Sequence, residues 1–299
     1  MSRVSLRERI RRGLFLLDGA MGTQLIARGV EAGKCNDYLN IESPDVVLDV
    51  HRAYLEAGSD GVLTNTFGGN RYALGRHGFA DRVEEINRAG AEVARRAAGQ
   101  EYHVLGDIGP SGDFLEPLGT LKREELKEAF ARQAKGLLAG GVDGFIIETM
   151  TALEEIEVAI EAVKSICAGL PVFASMAFDH AGDNFTTMMG VRVEAAVSKI
   201  VSLRVDAVGF NCGTASLEGY VELAAKFVSA AKACGADMAL LAEPNAGKPE
   251  LIEGKTVYDV SPEDFAAAAE KMHSAGVSII GGCCGTGPAH IEAVARKLK

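Results

Sequence analysis

The sequence contains no tryptophan, and only 6% of its 299 residues are aromatic. A cage for a quaternary ammonium is best built from aromatic faces, tryptophan first, so such a site is poorly supplied. Basic residues are also short. Lysine and arginine number 31 against 41 acids, giving a net charge of −10. An acidic surface repels phosphate backbones, so neither nucleic acid nor an anionic membrane is an expected partner. No apolar run approaches the roughly 20 residues that a membrane span needs. Met1 to Arg12 is charged and lacks a signal-peptide core. The expected location is therefore the cytoplasm. Thiols are normally reduced there, so six cysteines read as thiols or metal ligands, not as a disulfide frame.

One rhythm runs from end to end. Short apolar runs fall at 14–17, 61–64, 103–106, 144–147, 172–176, 207–210, 238–242 and 277–281. Segments of helical period lie between and after them, at 45–57, 83–98, 123–139, 152–167, 193–202, 217–233, 262–274 and 289–298. The runs are bounded by Gly, Asp and Pro, as buried parallel strands are. Glycine closes several helices: Gly58, Gly141 and Gly276 each precede the next strand, where a left-handed cap is needed. Pro44, Pro262 and Pro288 mark helix starts. Eight such units predict an α/β fold, a (β/α)8 barrel of one domain over residues 1–299, with a doubly wound open sheet as the alternative. The long connection at 28–42 is expected to flap over the barrel mouth.

In a parallel barrel the chemistry sits where strands end. Asp18, with Gly22 and Thr23, follows the first run. Asn65-Thr66-Phe67 follows the second, Asp107 the third and Glu148 the fourth. Cys212 follows the sixth, Glu243 and Asn245 the seventh, and Cys283-Cys284 the eighth. Polar and thiol groups thus converge on one rim. Three thiolates suit zinc and leave a fourth position open for a substrate. The competing reading makes them small buried hydrophobes or a vicinal disulfide. Gly281, Gly282 and Gly285 are expected to supply the backbone angles that a vicinal pair needs. Cys167 and Cys234 fall at helix ends and read as structural, while Cys35 in the long connection stays open.

Taken together, Leu17-Asp18-Gly19-Ala20-Met21-Gly22-Thr23, Thr64-Asn65-Thr66-Phe67, Asn211-Cys212 and Gly281-Gly282-Cys283-Cys284-Gly285-Thr286 resemble the homocysteine S-methyltransferase family. Residues 40–60 and 243–249 are similar to the homocysteine-binding domain of cobalamin-dependent methionine synthase in particular. The resemblance implies a zinc barrel that alkylates homocysteine to methionine. It implies Cys212, Cys283 and Cys284 as zinc ligands and Asn245 as a candidate fourth. It also implies Asp18 and Glu148 at the substrate ammonium, and backbone amides around Gly22 and Thr23 at its carboxylate. The family's cobalamin-dependent members continue into folate and corrinoid domains. This chain ends at Lys299, so the methyl donor is expected from outside.

The chemistry is consistent with these residues. A free thiol has a pKa of about 8.5, and metal binding lets it ionise at neutral pH. No histidine stands at a strand end, and none is needed as a base. The favoured reading is methyl transfer from methylcobalamin carried by a separate corrinoid protein. Alternatives are a self-sufficient enzyme using a methylsulfonium or betaine donor, and a non-catalytic thiol- or zinc-binding partner of a corrinoid assembly. A phosphate-binding lyase would use the glycines after the eighth run, but little basic charge accompanies them.

Overall fold

The eight apolar runs form one sheet of eight parallel strands, covered on the outside by helices. A computed structural model describes residues 3–248, 250–252 and 255–299. Pro249, the last residue of the 243–249 stretch, and Met1 and Ser2 lie outside them. The strands are β1 (Phe15–Leu16), β2 (Gly61–Leu63), β3 (His103–Ile108) and β4 (Gly144–Met150). They continue with β5 (Val172–Met176), β6 (Ala207–Asn211), β7 (Ala239–Glu243) and β8 (Ile279–Ile280). Neighbours in sequence are neighbours in the sheet, and β8 returns to pair with β1. That is the barrel order expected from the sequence rather than a doubly wound sheet.

One seam, between β1 and β2, lacks a regular ladder. Aspartates close it instead. The Asp60 N–H donates to the Leu16 carbonyl at 2.6 Å, and its carboxylate accepts from the Leu16 N–H at 2.8 Å. Nearer the mouth, the Leu63 N–H donates to Asp18 Oδ2 at 3.0 Å. Asp18 thus has a structural duty as well as a place on the rim.

The helices follow the predicted segments closely. After α1 (Leu6–Arg9) come α2 (Met21–Ala27), α3 (Leu39–Glu42), α4 (Pro44–Glu56), α5 (Arg71–Gly75) and α6 (Val83–Ala98). Then come α7 (Arg123–Ala139), α8 (Leu153–Ile166), α9 (Val193–Ser202), α10 (Leu217–Ala233), α11 (Pro262–Ala275) and α12 (Pro288–Leu298). Pro44, Pro262 and Pro288 do open helices, and Gly58, Gly141 and Gly276 have φ of 104°, 88° and 123°. Two antiparallel hairpins went unforeseen. Asp179–Ala181 pairs with Asn184–Thr186 after β5, and Glu250–Ile252 with Lys255–Val257 after β7.

Leu6 and Ile10 plug the base of the barrel. They pack with Phe15, Leu17, Leu105, Ile146, Phe173, Leu241 and Ile279, the inward residues of the strands. The second core lies between strands and helices and is much larger. Among the described residues, no helix is long and apolar enough to cross a membrane.

Candidate metal centre

Cys212 lies just beyond β6, and Cys283 and Cys284 just beyond β8, with β7 between them. Their sulfurs lie within 4.8 Å of one another. The backbone of Cys212 carries much of this geometry. Its φ is 56°, in the left-handed region that a side chain seldom adopts, and Gly213 follows at 86°. Hydrogen bonds hold the turn: Cys212 N–H to the Glu243 carbonyl at 3.2 Å, and Tyr220 Oη to the Cys212 carbonyl at 2.7 Å.

The glycines around the vicinal pair act differently from expectation. Only Gly285 has a positive φ, 81°. Gly281 and Gly282 are needed for close approach instead. A Cβ on Gly282 would sit 2.5 Å from Thr286 Oγ1, and one on Gly281 would sit 3.0 Å from Glu243. Thr286 ties the loop together, donating to the Cys283 carbonyl at 2.7 Å and accepting from the Ala20 N–H at 3.1 Å. Thr23 Oγ1 accepts from the Gly285 N–H at 3.1 Å. The start of α2 is thereby pinned to the cysteine loop.

The thiols line a cavity of about 250 Å3, together with Asp18, Gly22, Thr23, Asp107, Glu148 and Glu243. Asp18, Asp107, Glu148, Cys212, Glu243, Cys283 and Cys284 therefore meet in one place, while Asn245 is not among the lining residues. The four carboxyls are 3%, 5%, 8% and 2% exposed, and no lysine or arginine among the described residues lines the cavity. Burial pushes Glu148 up to about 7, and pushes Asp18, Asp107 and Glu243 well above the ordinary range. Hydrogen bonds from Cys212 and Cys283 draw Cys284 down to about 3, while those to Cys212 and Cys284 push Cys283 well above its ordinary range.

Asn211 was part of a motif without a role; it is the hub of the site. It is fully buried. Its Nδ2 donates to Glu148 Oε2 at 2.6 Å and to Thr149 Oγ1 at 2.7 Å. Its Oδ1 accepts from the Thr149 N–H and Ser175 Oγ. The available signal was its place beside Cys212 at a strand end. Tyr258 was missed outright. It comes after the second hairpin, lies within hydrogen-bonding reach of Cys284, and packs against Gly285.

Asn245 is 3% exposed, and its Nδ2 donates to the Gly213 carbonyl at 2.7 Å. That bond fixes the amide orientation. Oδ1 has no partner among the described residues. Asn65 and Thr66 brace the rim, through Asn36, Asn40 and the Asp107 carbonyl, and neither caps a helix. Phe67 lines the cavity. The 28–42 connection reaches the cavity wall through Asn36. Cys167 and Cys234 cap α8 and α10, away from the centre, and Cys35 packs beside Leu74, Val83 and Ile86.

Residues 15–298 match the family model described as homocysteine S-methyltransferase. The methionine synthase of Mycobacterium tuberculosis is 36% identical over 297 residues, covering 93% of this chain and 24% of that protein. That of Mycobacterium leprae is 34% identical over 309 residues, covering 97% of this chain and 25% of that protein. The chain thus spans about a quarter of the length of these curated relatives. Among solved structures, the metallated form of the homocysteine methyltransferase MmuM from Escherichia coli superposes with a TM-score of 0.79. It is 23% identical, over 98% of this chain and 99% of that one, and shows the same fold.

Proposed function

The chain belongs to the homocysteine S-methyltransferase family, and from that premise we propose that it methylates homocysteine to methionine at the three-cysteine centre, with zinc as the resident metal. The observation that carries this reading is the meeting of three sulfurs, from the ends of two strands, at the wall of an acid-lined cavity. The donor set fits zinc, being soft, three in number and open on one side. Asn245, whose Nδ2 lies 3.9 Å from Cys212 Sγ and whose buried Oδ1 has no partner among the described residues, would be the candidate fourth ligand in the absence of substrate. Zinc held by Cys212, Cys283 and Cys284 would keep a substrate thiol ionised at neutral pH, and so nucleophilic without a protein base.

The remaining work belongs to the chain's own side chains. Asp18 and Glu148 would take the substrate ammonium. Asp18 is fixed by the seam bond to Leu63 and Glu148 by Asn211. The first N–H groups of α2, at Gly22 and Thr23, have no acceptor inside their helix and would take the substrate carboxylate. Recognition of both ends of the amino acid would turn its thiol toward the sulfurs.

The methyl donor in this reading is a methylcorrinoid on a separate protein. Two features support it. The cavity, at about 250 Å3, is far too small to enclose a corrinoid. Phe67 lines the cavity, and the other exposed large apolar side chains, Ile26, Phe114, Leu118, Met188 and Val257, also lie in segments that follow strand ends. An apolar rim of this kind suits a docking protein. Phe67 is the one aromatic in the cavity wall among the described residues, too few for a betaine cage.

The test is a donor screen. The zinc-loaded chain and homocysteine are offered methylcobalamin, betaine, S-methylmethionine and S-adenosylmethionine in turn, and methionine is measured. Methionine from methylcobalamin alone is expected. Rapid turnover with a sulfonium or betaine and none with methylcobalamin would reject the relay. No methionine from any donor would favour a non-catalytic partner.

A further inference from the structure

Among the described residues, three that are not glycine have a positive φ, and two of these stand at the cavity: Thr149 at 59° and Cys212 at 56°. The third, Arg204, follows the end of α9. For threonine, branched at Cβ, the left-handed region is costly, and it persists only where the surroundings hold it.

The course of β4 shows where this turn leads. Up to Ile147 the strand alternates regularly. Ile146 packs inside the barrel with Leu105 and Phe173, while Phe145 and Ile147 face the helices. The pairing with β5 then slips. Ile147 lies opposite Ala174 and Met150 opposite Met176, so β4 has one residue more than its partner between these points. That is a β-bulge, and it falls at Glu148 and Thr149. Strict alternation would turn Thr149 outward and Met150 inward. Instead Met150 joins the outer core, and Glu148 and Thr149, adjacent in sequence, both line the cavity.

Asn211, at the end of β6, grips the bulge. The Thr149 N–H donates to Asn211 Oδ1 at 2.8 Å, and Thr149 Oγ1 accepts from Asn211 Nδ2 at 2.7 Å. The same Nδ2 donates to Glu148 Oε2 at 2.6 Å. A backbone N–H can only donate, so it fixes which end of the amide is the oxygen. Nδ2 is then left facing Glu148. Ser175 Oγ also donates to Oδ1, at 2.7 Å, but a hydroxyl could equally accept and does not decide the orientation.

We propose that Thr149 is a positioning residue: its left-handed turn locks the Asn211 amide, and the amide holds the Glu148 carboxylate toward the substrate ammonium. The turn, more than the hydroxyl, is what the seat depends on. This deepens the reading above and rests on it, since it takes Glu148 to receive the amine.

The test compares two substitutions that both remove the hydroxyl. Thr149→Gly takes a positive φ freely, whereas Thr149→Ala resists it. Binding of homocysteine and of its des-amino analogue 4-mercaptobutanoate is measured by calorimetry on the zinc-loaded chains. Thr149→Ala is expected to bind homocysteine about tenfold more weakly than the wild type. Thr149→Gly should stay within about threefold, and Thr149→Ser should match the wild type. The analogue has no amine and should bind all four forms alike. Equal losses in the alanine and glycine variants, no loss in either, or a parallel loss for the analogue would overturn the proposal while leaving the amino-acid site intact. A wild type that binds homocysteine no tighter than the analogue would instead sink the parent reading of Glu148, and this one with it.

Discussion

The two ends of the barrel use the same residue types to opposite effect. At the base, Asp60, Asp143 and Asp206 each precede a strand and accept a backbone N–H from the strand alongside, at Leu16, Val104 and Val172. Each is also paired with arginine: Asp60 with Arg9 at 3.0 Å, Asp143 with Arg95 at 2.6 Å and Arg3, and Asp206 with Arg7 at 2.5 Å. Burial works to raise the Asp143 pKa, but Val104, Arg95 and Arg3 outweigh it and hold the group low. At the mouth, Asp18, Asp107, Glu148 and Glu243 are buried with no lysine or arginine beside them in the cavity wall among the described residues, and all are pushed up. An acid at the base is satisfied by the fold. An acid at the mouth has no such partner among the described residues, and in the proposed function the substrate ammonium supplies it for Asp18 and Glu148. Partnership separates stability from function here, not burial.

The sharpest way to break this contrast is to remove a thiol. Cys212→Ala, Cys283→Ala or Cys284→Ala should each abolish methyl transfer and lower bound zinc from about one per chain to a small fraction. The metal-free forms should unfold at nearly the wild-type urea midpoint, because the two cores do not include these residues. A mutant that keeps its zinc and full activity would remove the basis for the metal centre.

Next in size is the base. Asp143→Ala leaves the Val104 N–H and two arginines without their acceptor. A loss of about 2–4 kcal/mol in urea unfolding is expected. Homocysteine affinity, measured on the same sample, should not change. If affinity falls with stability, the two ends are not separable.

At the mouth the opposite pattern is expected. Glu148→Gln removes a charge-assisted contact and should weaken homocysteine binding by about 1.5–3 kcal/mol, with no loss of stability. 3-Mercaptopropionate has no amine, so it should bind both forms alike if Glu148 serves the ammonium. A preference of that ligand for the wild type would point to a different task.

The last effect, of similar size, is in pH. Burial raises Glu148 from 4.5 to about 7. The folded state therefore keeps a proton across this window that the unfolded chain has released. That contribution to stability is full below 4.5 and is lost as pH rises through about 7. For the metal-free chain, a decline of about 2–3 kcal/mol between these limits is expected from denaturation at several pH values. Glu148→Gln should remove its share of the decline and leave the part that Asp18, Asp107 and Glu243 carry. An unchanged slope in that variant would assign the decline to other groups.

Much of this was legible beforehand because it is local or periodic. Val83–Ala98, Arg123–Ala139, Val193–Ser202 and Leu217–Ala233 match their predicted segments residue for residue, since helical period and glycine caps act within one element. The hairpins at 179–186 and 250–257 escaped because three-residue strands carry too short a pattern to read. The role of Gly281 and Gly282 was misjudged for a different reason. A glycine needed for a positive φ and one needed for close packing look identical in sequence, and only the neighbours Thr286 and Glu243 tell them apart.

By itself the sequence determined the eight-unit barrel, the rim on which chemistry falls, and the three cysteines as one centre. Strand and helix periods are properties of neighbouring residues, and parallel strands must end on a common face. The tertiary structure alone decided which acids would be neutralised. Asp143 and Glu148 stand at opposite ends of the same strand, and nothing in their local sequence distinguishes a paired carboxylate from an orphaned one. The partners come from far along the chain: Arg3 and Arg95 for one, Asp107 and Asn211 for the other. A carboxyl's charge depends on what folding brings within a few ångströms of it, and that distance is set by the closed barrel.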